Sequence, residues 1–126
     1  MSWCFQDEQT DNNYAAQILS KMKSESALVP RLWHLEVLNV LMVAERQHRI
    51  TAKQSDNFLQ SLSVLPIETD PTPVTIQDKE IIALARKYQL SAYDTAYLAL
   101  AIGEDLQIAT RDQGLYAAAH ELKILI

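Results

Sequence analysis

The sequence predicts a mixed α/β protein built on a parallel sheet. Short apolar runs such as "ALV" and "LQIAT" alternate along the chain with longer stretches of helical periodicity. Strands that alternate with helices form parallel sheets, because each parallel strand is reached through a crossover helix. The length of 126 residues and the hydrophobic fraction of 48% fit one domain with its own core. We therefore expect a single domain over residues 1–126.

The first half of the chain predicts three helices and two strands. Thr10 or Asp11 is placed to cap the first helix, "TDNNYAAQILSKMKSE", and Thr51 to cap the third, "AKQSDNFLQSLSVL". A strand, "ALV", ends at Pro30, and a second strand, "PIE", precedes the turn "TDPTPV".

The second helix, "RLWHLEVLNVLMVAERQHR", is the longest and is apolar on nearly every side. A helix of this kind is normally buried, so we expect it at the centre of the fold. The side chains expected in the surrounding core are Leu35, Leu38, Val40, Met42, Leu98 and Ile108.

The second half predicts three more helices and two more strands. Pro73 is placed to begin the first of these helices after Thr72, because proline suits the first helical position. "SAYDTAYLALAIG" and "RDQGLYAAAHEL" predict the other helices, and "LQIAT" and "KILI" predict the strands. The first helix carries an amphipathic stripe of Ile81, Leu84, Ala85 and Tyr88.

Composition narrows the classes of function. The net charge of −5 means that a nucleic-acid partner would need local basic residues or bound cations to offset repulsion. Cys4 is the only cysteine, so an internal disulfide is impossible, and we interpret its side chain as core packing. The sequence has neither an apolar stretch long enough to span a membrane nor a signal-peptide pattern. We expect a cytoplasmic protein.

Several common catalytic motifs are missing. Gly103 and Gly114 are the only glycines, so neither a Walker loop nor a GxGxxG nucleotide fingerprint can form. The nucleophile motif GxSxG is also absent. His34, His48 and His120 have no zinc-binding spacing, which makes a zinc site improbable. Carboxylates remain as the candidates for chemistry.

Glu36 lies inside the apolar stretch "LWHLEVLNVLM", and Asn39 follows it one helical turn later. Burying a carboxylate among aliphatic side chains is costly unless the charge is paired or bound to a metal. The alternative is that Glu36 lies on a narrow solvent-exposed stripe.

Asp94 and Asp112 occupy the starts of two predicted helices. Asp94 is the fourth residue of "SAYD", and Asp112 follows the strand "QIAT", where parallel-sheet proteins place ligand sites. Both positions also suit a structural role, because "SAYD" fits a capping box from Ser91 and Asp112 can cap the next helix. Together with Glu36, these acids would supply the oxygen ligands that hard divalent cations prefer.

The segments "LWHLEVLNVL", "LSAYDTAYLALA" and "IATRD" resemble the spaced motifs of PIN domains, most closely the VapC-type toxin ribonucleases. The resemblance covers nearly the whole chain. It implies a three-layer α/β/α fold with a parallel sheet, and acids clustered around Mg²⁺ or Mn²⁺ to cut RNA. By motif, Glu36, Asp94 and Asp112 match the family acids. Thr110 matches the polar residue before the last acid, and Asn39 matches a polar residue one turn after the helix acid.

The chain departs from the family pattern at its start. Family members begin with a central strand that ends in an Asp, upstream of a stretch like "SWCFQDE", whereas this sequence begins at that stretch. The expectation is therefore an N-terminally truncated PIN-like domain without its first strand. Asp7 and Glu8 are nearby acids, but family acids at this place often have no metal role.

Two functions follow from the resemblance. The first is a Mg²⁺- or Mn²⁺-dependent endoribonuclease, in which Glu36, Asp94 and Asp112 hold the cation and Arg111 contacts RNA. Arg31 and Lys53 are further candidate contacts to the RNA backbone. The alternative is a catalytically inactive PIN-like module that binds a protein partner. Both functions are compatible with a homodimer and with a VapB-like antitoxin that covers the site.

Overall fold

The computed structural model describes residues 26–126. The predicted first helix with its cap at Thr10 or Asp11, and the side chains of Cys4, Asp7 and Glu8, lie outside the described residues.

Residues 26–126 form five helices and a small parallel sheet, which confirms the predicted mixed α/β class. Helices are longer than strands throughout, so helix packing supplies most of the buried surface. The elements in chain order are β1 (Ala27–Val29), α1 (Leu32–Arg46), α2 (Ala52–Ser63), β2 (Ile67–Thr69), α3 (Lys79–Tyr88), α4 (Ala92–Glu104) and α5 (Gln113–Glu121).

Two separate parallel pairings replace the continuous sheet that the sequence predicts. Strand β1 pairs with β2, with Ala27 opposite Ile67. A second pairing is a single bridge between Ile108 and Leu125, so the predicted strands "LQIAT" and "KILI" are reduced to one contact. The amide of Ile108 donates to Ile124 at 2.6 Å, and the amide of Ile126 donates to Ile108 at 3.0 Å. No strand pairing joins the two pairs within the part of the chain that is described.

Helix starts follow the side chains that can cap them. Thr51 and Gln54 form a complete capping box at α2, with both hydrogen bonds present. Helix α3 begins at Lys79, because Asp78 accepts from the amide of Ile81 at 3.0 Å. The prediction that Pro73 begins this helix is wrong. A proline cannot supply the side-chain acceptor that the first turn needs, whereas an aspartate can.

Among residues 26–126, one face of helix α1 is buried and the other is exposed, so the prediction that it lies at the centre of the fold is wrong for this part of the chain. Its buried residues, Trp33, Val37, Leu41 and Ala44, form one stripe at helical spacing. Three residues that the sequence places in the core are exposed instead. The exposed fractions are 72% for Leu35, 43% for Leu38 and 39% for Met42. Val40, also predicted for the core, is half-buried.

Helix α4 occupies the centre instead. Four consecutive residues, Thr95–Leu98, are buried, and Leu98 has no exposed surface. Ile108 is also buried, so the predicted place of Leu98 and Ile108 in one core is confirmed. The predicted stripe of α3 faces inward as well, with Ile81 buried and its other members half-buried. No helix within residues 26–126 is long and apolar enough to cross a membrane.

Leu98→Ala should lower the free energy of unfolding by about 2–5 kcal/mol, because it leaves a cavity in the middle of the core. Leu35→Ala is the matched control, since Leu35 is 72% exposed and its truncation should change stability by less than about 0.5 kcal/mol. Urea denaturation followed by circular dichroism measures both. Equal losses in the two variants would contradict the assignment of α4 to the centre.

Candidate functional site

The three predicted acids act on one another electrostatically although they come from three helices. Glu36 lies in α1, Asp94 in the first turn of α4, and Asp112 at the start of α5. The pKa of Asp94 is raised, first by burial, next by the negative charge of Asp112 and more weakly by that of Glu36. Both charges favour the neutral form of Asp94, so the fold gathers like charges in one region.

Asp94 is only partly explained by helix capping. The hydroxyl oxygen of Ser91 accepts from the amide of Asp94 at 3.1 Å, so Ser91 is the cap of α4. At α2 the carboxamide oxygen of Gln54 accepts the reciprocal bond from the cap amide, and Asp94 does not accept the corresponding bond at α4. A hydrogen bond with the Ser91 side chain instead lowers the pKa of Asp94, against the larger raising effect of burial. Ser91 therefore caps the helix, and the Asp94 carboxylate experiences the charges of Asp112 and Glu36.

Asp112 caps α5, which confirms the structural alternative for this residue. Its Oδ1 accepts from the amide of Leu115 at 3.0 Å. The hydroxyl of Thr110, which is buried, accepts from the amide of Asp112 at 3.1 Å. These two bonds fix the backbone and one carboxylate oxygen. The second oxygen, Oδ2, makes no hydrogen bond to a described residue, so capping uses only one of the two carboxylate oxygens.

Gly114 makes room for this arrangement. A Cβ at position 114 would lie 3.1 Å from a terminal methyl of Leu90 and 3.7 Å from Oδ1 of Asp112. The contact with Leu90 is tighter than ordinary van der Waals packing, so a larger residue would push on the wall beside the cap.

Tyr97 is a member of the site that the sequence did not predict. Its hydroxyl donates to Oε1 of Glu36, and the bond joins α4 to α1. The pKa of Tyr97 is raised above its ordinary value, chiefly by burial and then by Glu36. A signal was present, because Tyr97 lies one helical turn after Asp94 within the otherwise aliphatic run "AYLALA".

The remaining predicted residues are more peripheral. Asn39 is exposed one turn after Glu36, and Arg111 is exposed between Thr110 and Asp112. Arg31 donates to the carbonyl of Pro71 at 2.9 Å and so holds the loop after β2. Lys53 is exposed in the first turn of α2.

A family model described as the PIN domain matches residues 1–121. The chain belongs to the PIN domain family. PIN domains are generally metal-dependent nucleases that act on nucleic acid, which agrees with a cluster of acids at the helix starts. Comparisons with curated proteins and with solved structures found no match.

The acids of this PIN domain suit a divalent cation in kind, since all of them offer oxygen ligands. Burial first, and then the negative charges of Asp112 and Glu36, raise the pKa of Asp94, and a bound cation would offset the repulsion. Within residues 26–126, however, no group of three or more His, Cys, Asp or Glu side chains is arranged to hold a metal ion. The described acids would therefore need intervening waters or a ligand from residues 1–25 to complete a metal site.

Asp94→Asn should raise the melting temperature of the metal-free protein at neutral pH, because it removes a repelled charge but keeps an oxygen acceptor. The folded pKa of Asp94 lies above 3.8. Asp94 therefore contributes stability that is fully present below pH 3.8 and is lost as the pH rises through its raised folded pKa. The advantage of the variant should appear across that window and persist at pH 7.

Thermal melts of both proteins between pH 3.5 and 7, with a chelator present, measure this difference. Asp56→Asn, at an exposed position of α2, makes the same charge change away from the site and should show no such trend. A variant less stable than the wild type at pH 7 would mean that Asp94 serves the helix start after all.

Proposed function

We propose that this chain is a single PIN domain over residues 1–126 that hydrolyses RNA phosphodiester bonds with Mg²⁺ or Mn²⁺, as a VapC-type endoribonuclease. The observation that supports the proposal is the electrostatic coupling of Asp94 to Asp112 and Glu36. These residues are far apart in the sequence, and each also matches a family motif. Capping explains the position of Asp112, but it does not explain why Asp94, whose helix is capped by Ser91, experiences the charges of two acids from other helices.

In the proposed reaction, Glu36, Asp94 and Asp112 would hold the cation, directly or through water. When bound, the cation supplies an acidified water and offsets the charge that develops on the phosphate. The amide of Leu115 donates to the Asp112 carboxylate, and the Thr110 hydroxyl accepts from the Asp112 backbone amide, so the two bonds limit the orientation of this residue. Such fixed orientation is what positioning a reacting phosphate requires.

RNA binding is limited by the charge of the protein. A net charge of −5 and a cluster of carboxylates repel a phosphate backbone, so bound cations are needed for binding as well as for chemistry. Arg111 is exposed directly before Asp112 and is the proposed phosphate contact. Arg31, whose guanidinium donates to the carbonyl of Pro71, is a second candidate.

A VapB-like antitoxin and a homodimer are the proposed protein partners, and the cytoplasm is the proposed compartment. The exposed apolar face of α1 agrees with a protein partner, because Leu35 is 72% exposed. A groove of about 270 Å³ adjoins this helix. Its lining includes Trp33, Val37, Leu38, Leu59, Leu62 and Ile67.

The same groove favours a second candidate function, which is a catalytically inactive PIN-like module that binds a protein partner. The described acids do not form a group of three that could hold a metal directly, and this also favours the second candidate. The two functions differ in one measurable property, which is the response of the protein to Mn²⁺.

Wild-type protein should cleave a fluorescent single-stranded RNA in the presence of millimolar Mn²⁺ and should melt at a higher temperature with the metal than without it. Asp94→Asn should lower the cleavage rate by at least about 100-fold, since loss of even an outer-shell partner of a metal costs 10- to 100-fold. It should also abolish the metal-dependent rise in melting temperature, which follows mass action. Asp56→Asn is the matched control and should behave like the wild type.

The outcomes separate the two functions. Cleavage that is equal in Asp94→Asn and Asp56→Asn would show that other residues carry the reaction. A wild type that neither cleaves RNA nor responds to Mn²⁺ would overturn the nuclease proposal and leave the partner-binding module.

A further inference from the structure

The hydroxyl of Tyr97 is placed where a rigid donor can hold a catalytic carboxylate. Tyr97 is 8% exposed and lies in the run Thr95–Leu98 at the centre of the fold. Its ring is therefore held by close packing, and few positions are open to its hydroxyl. The hydrogen bond of that hydroxyl ends on Oε1 of Glu36, 61 residues away in the sequence.

Glu36 needs such a constraint more than the other two acids do. Asp94 and Asp112 have short side chains at helix starts, where neighbouring hydroxyls and amides limit their orientation. Glu36 has a longer, more flexible side chain in the second turn of α1 and is only partly buried. The hydrogen bond from Tyr97 limits the rotamers of this carboxylate before a ligand binds, which lowers the entropic cost of binding.

The chemistry of the donor also matters. A lysine or arginine beside Glu36 would orient the carboxylate but would neutralise its charge. A phenol donates one hydrogen bond and adds no positive charge to the carboxylate that it orients. This division of roles is the one that outer-shell partners of metal ligands fulfil.

We propose that Tyr97 is a positioning residue that orients the Glu36 carboxylate toward the charge region shared with Asp94 and Asp112. The inference rests on the proposed function for its catalytic meaning, but the orientation of Glu36 can be measured without metal or RNA. Tyr97 itself touches neither the cation nor the reacting phosphate.

Tyr97→Phe removes the hydroxyl and leaves the ring, so the packing at the centre of the fold is kept. The matched control is Tyr93→Phe, one turn earlier on the same helix, where the side chain is 68% exposed. Both variants are made in the full chain of residues 1–126.

The first measurement is ¹³C NMR of the metal-free proteins, which reports the order of the Glu36 side chain. We expect one ordered rotamer in the wild type and in Tyr93→Phe, and rotamer averaging in Tyr97→Phe. Equal order of Glu36 in all three proteins would overturn the proposal. Urea denaturation of the same samples identifies a variant that has lost its fold. If Tyr97→Phe fails to fold, Glu36→Gln keeps the packed ring and should shift the ¹³C signals of Tyr97, whereas unchanged Tyr97 signals would overturn the proposal.

The second measurement is the dissociation constant for Mn²⁺ alone, from the electron paramagnetic resonance signal of the free ion. It should rise by about 10- to 100-fold in Tyr97→Phe and stay unchanged in Tyr93→Phe. In a double-mutant cycle, adding Tyr97→Phe to Glu36→Gln should cause no further loss, because the two residues act through one bond. Additive losses would overturn the positioning role.

The two proposals can fail separately. A wild type that binds no Mn²⁺ contradicts the proposed nuclease function, yet the NMR measurement still tests the orientation of Glu36. If Tyr97→Phe binds Mn²⁺ as tightly as the wild type does, the nuclease proposal stands and the positioning role of Tyr97 is overturned.

Discussion

The burial of α4 is the constraint on which the rest of the described structure depends. Its residues Thr95–Leu98 are buried in succession, so the middle of the helix is enclosed. Helices α3 and α5 pack against it, and Tyr97 connects it to α1. Asp94 lies one residue before this buried run, in the first turn of the helix. The acids meet at this place because the core fixes where the first turn of α4 points.

Helix starts reduce the cost of gathering these acids. Asp94 lies in the first turn of α4, and Asp112 caps α5. The partial positive charge at a helix N-terminus stabilises a nearby carboxylate by about 0.3–1 kcal/mol when it is exposed. This attraction opposes the mutual repulsion of the acids without neutralising them. Glu36 lacks a helix start of its own, and the hydrogen bond from Tyr97 is its corresponding support.

Local side-chain chemistry could be predicted from the sequence better than long-range arrangement. Thr51, Ser91 and Asp112 cap helices as their sequence context indicates. The sequence does not predict the helix start at Asp78. The preference of proline for the first helical position favours a start at Pro73, but the side chain of Asp78 caps the helix instead.

Periodicity failed for a different reason. It shows which faces of a helix are apolar, but it does not show which of them another element covers. Leu35 was therefore expected in the core and is exposed, whereas the bond between Tyr97 and Glu36 joins segments that no local pattern relates. The reduction of "LQIAT" to the bridge at Ile108 has a similar cause, since the length of a strand depends on the strand that pairs with it.

The bridge from Ile108 to Leu125 also sets a time order for the folding of a newly made chain. Helix α5 lies between the two bridged residues, and Asp112 begins that helix. The bridge cannot close before residue 125 has been synthesised, whereas the cap of Asp112 on the amide of Leu115 needs only neighbouring residues. Helix α5 can therefore form before the bridge joins the segments on either side of it.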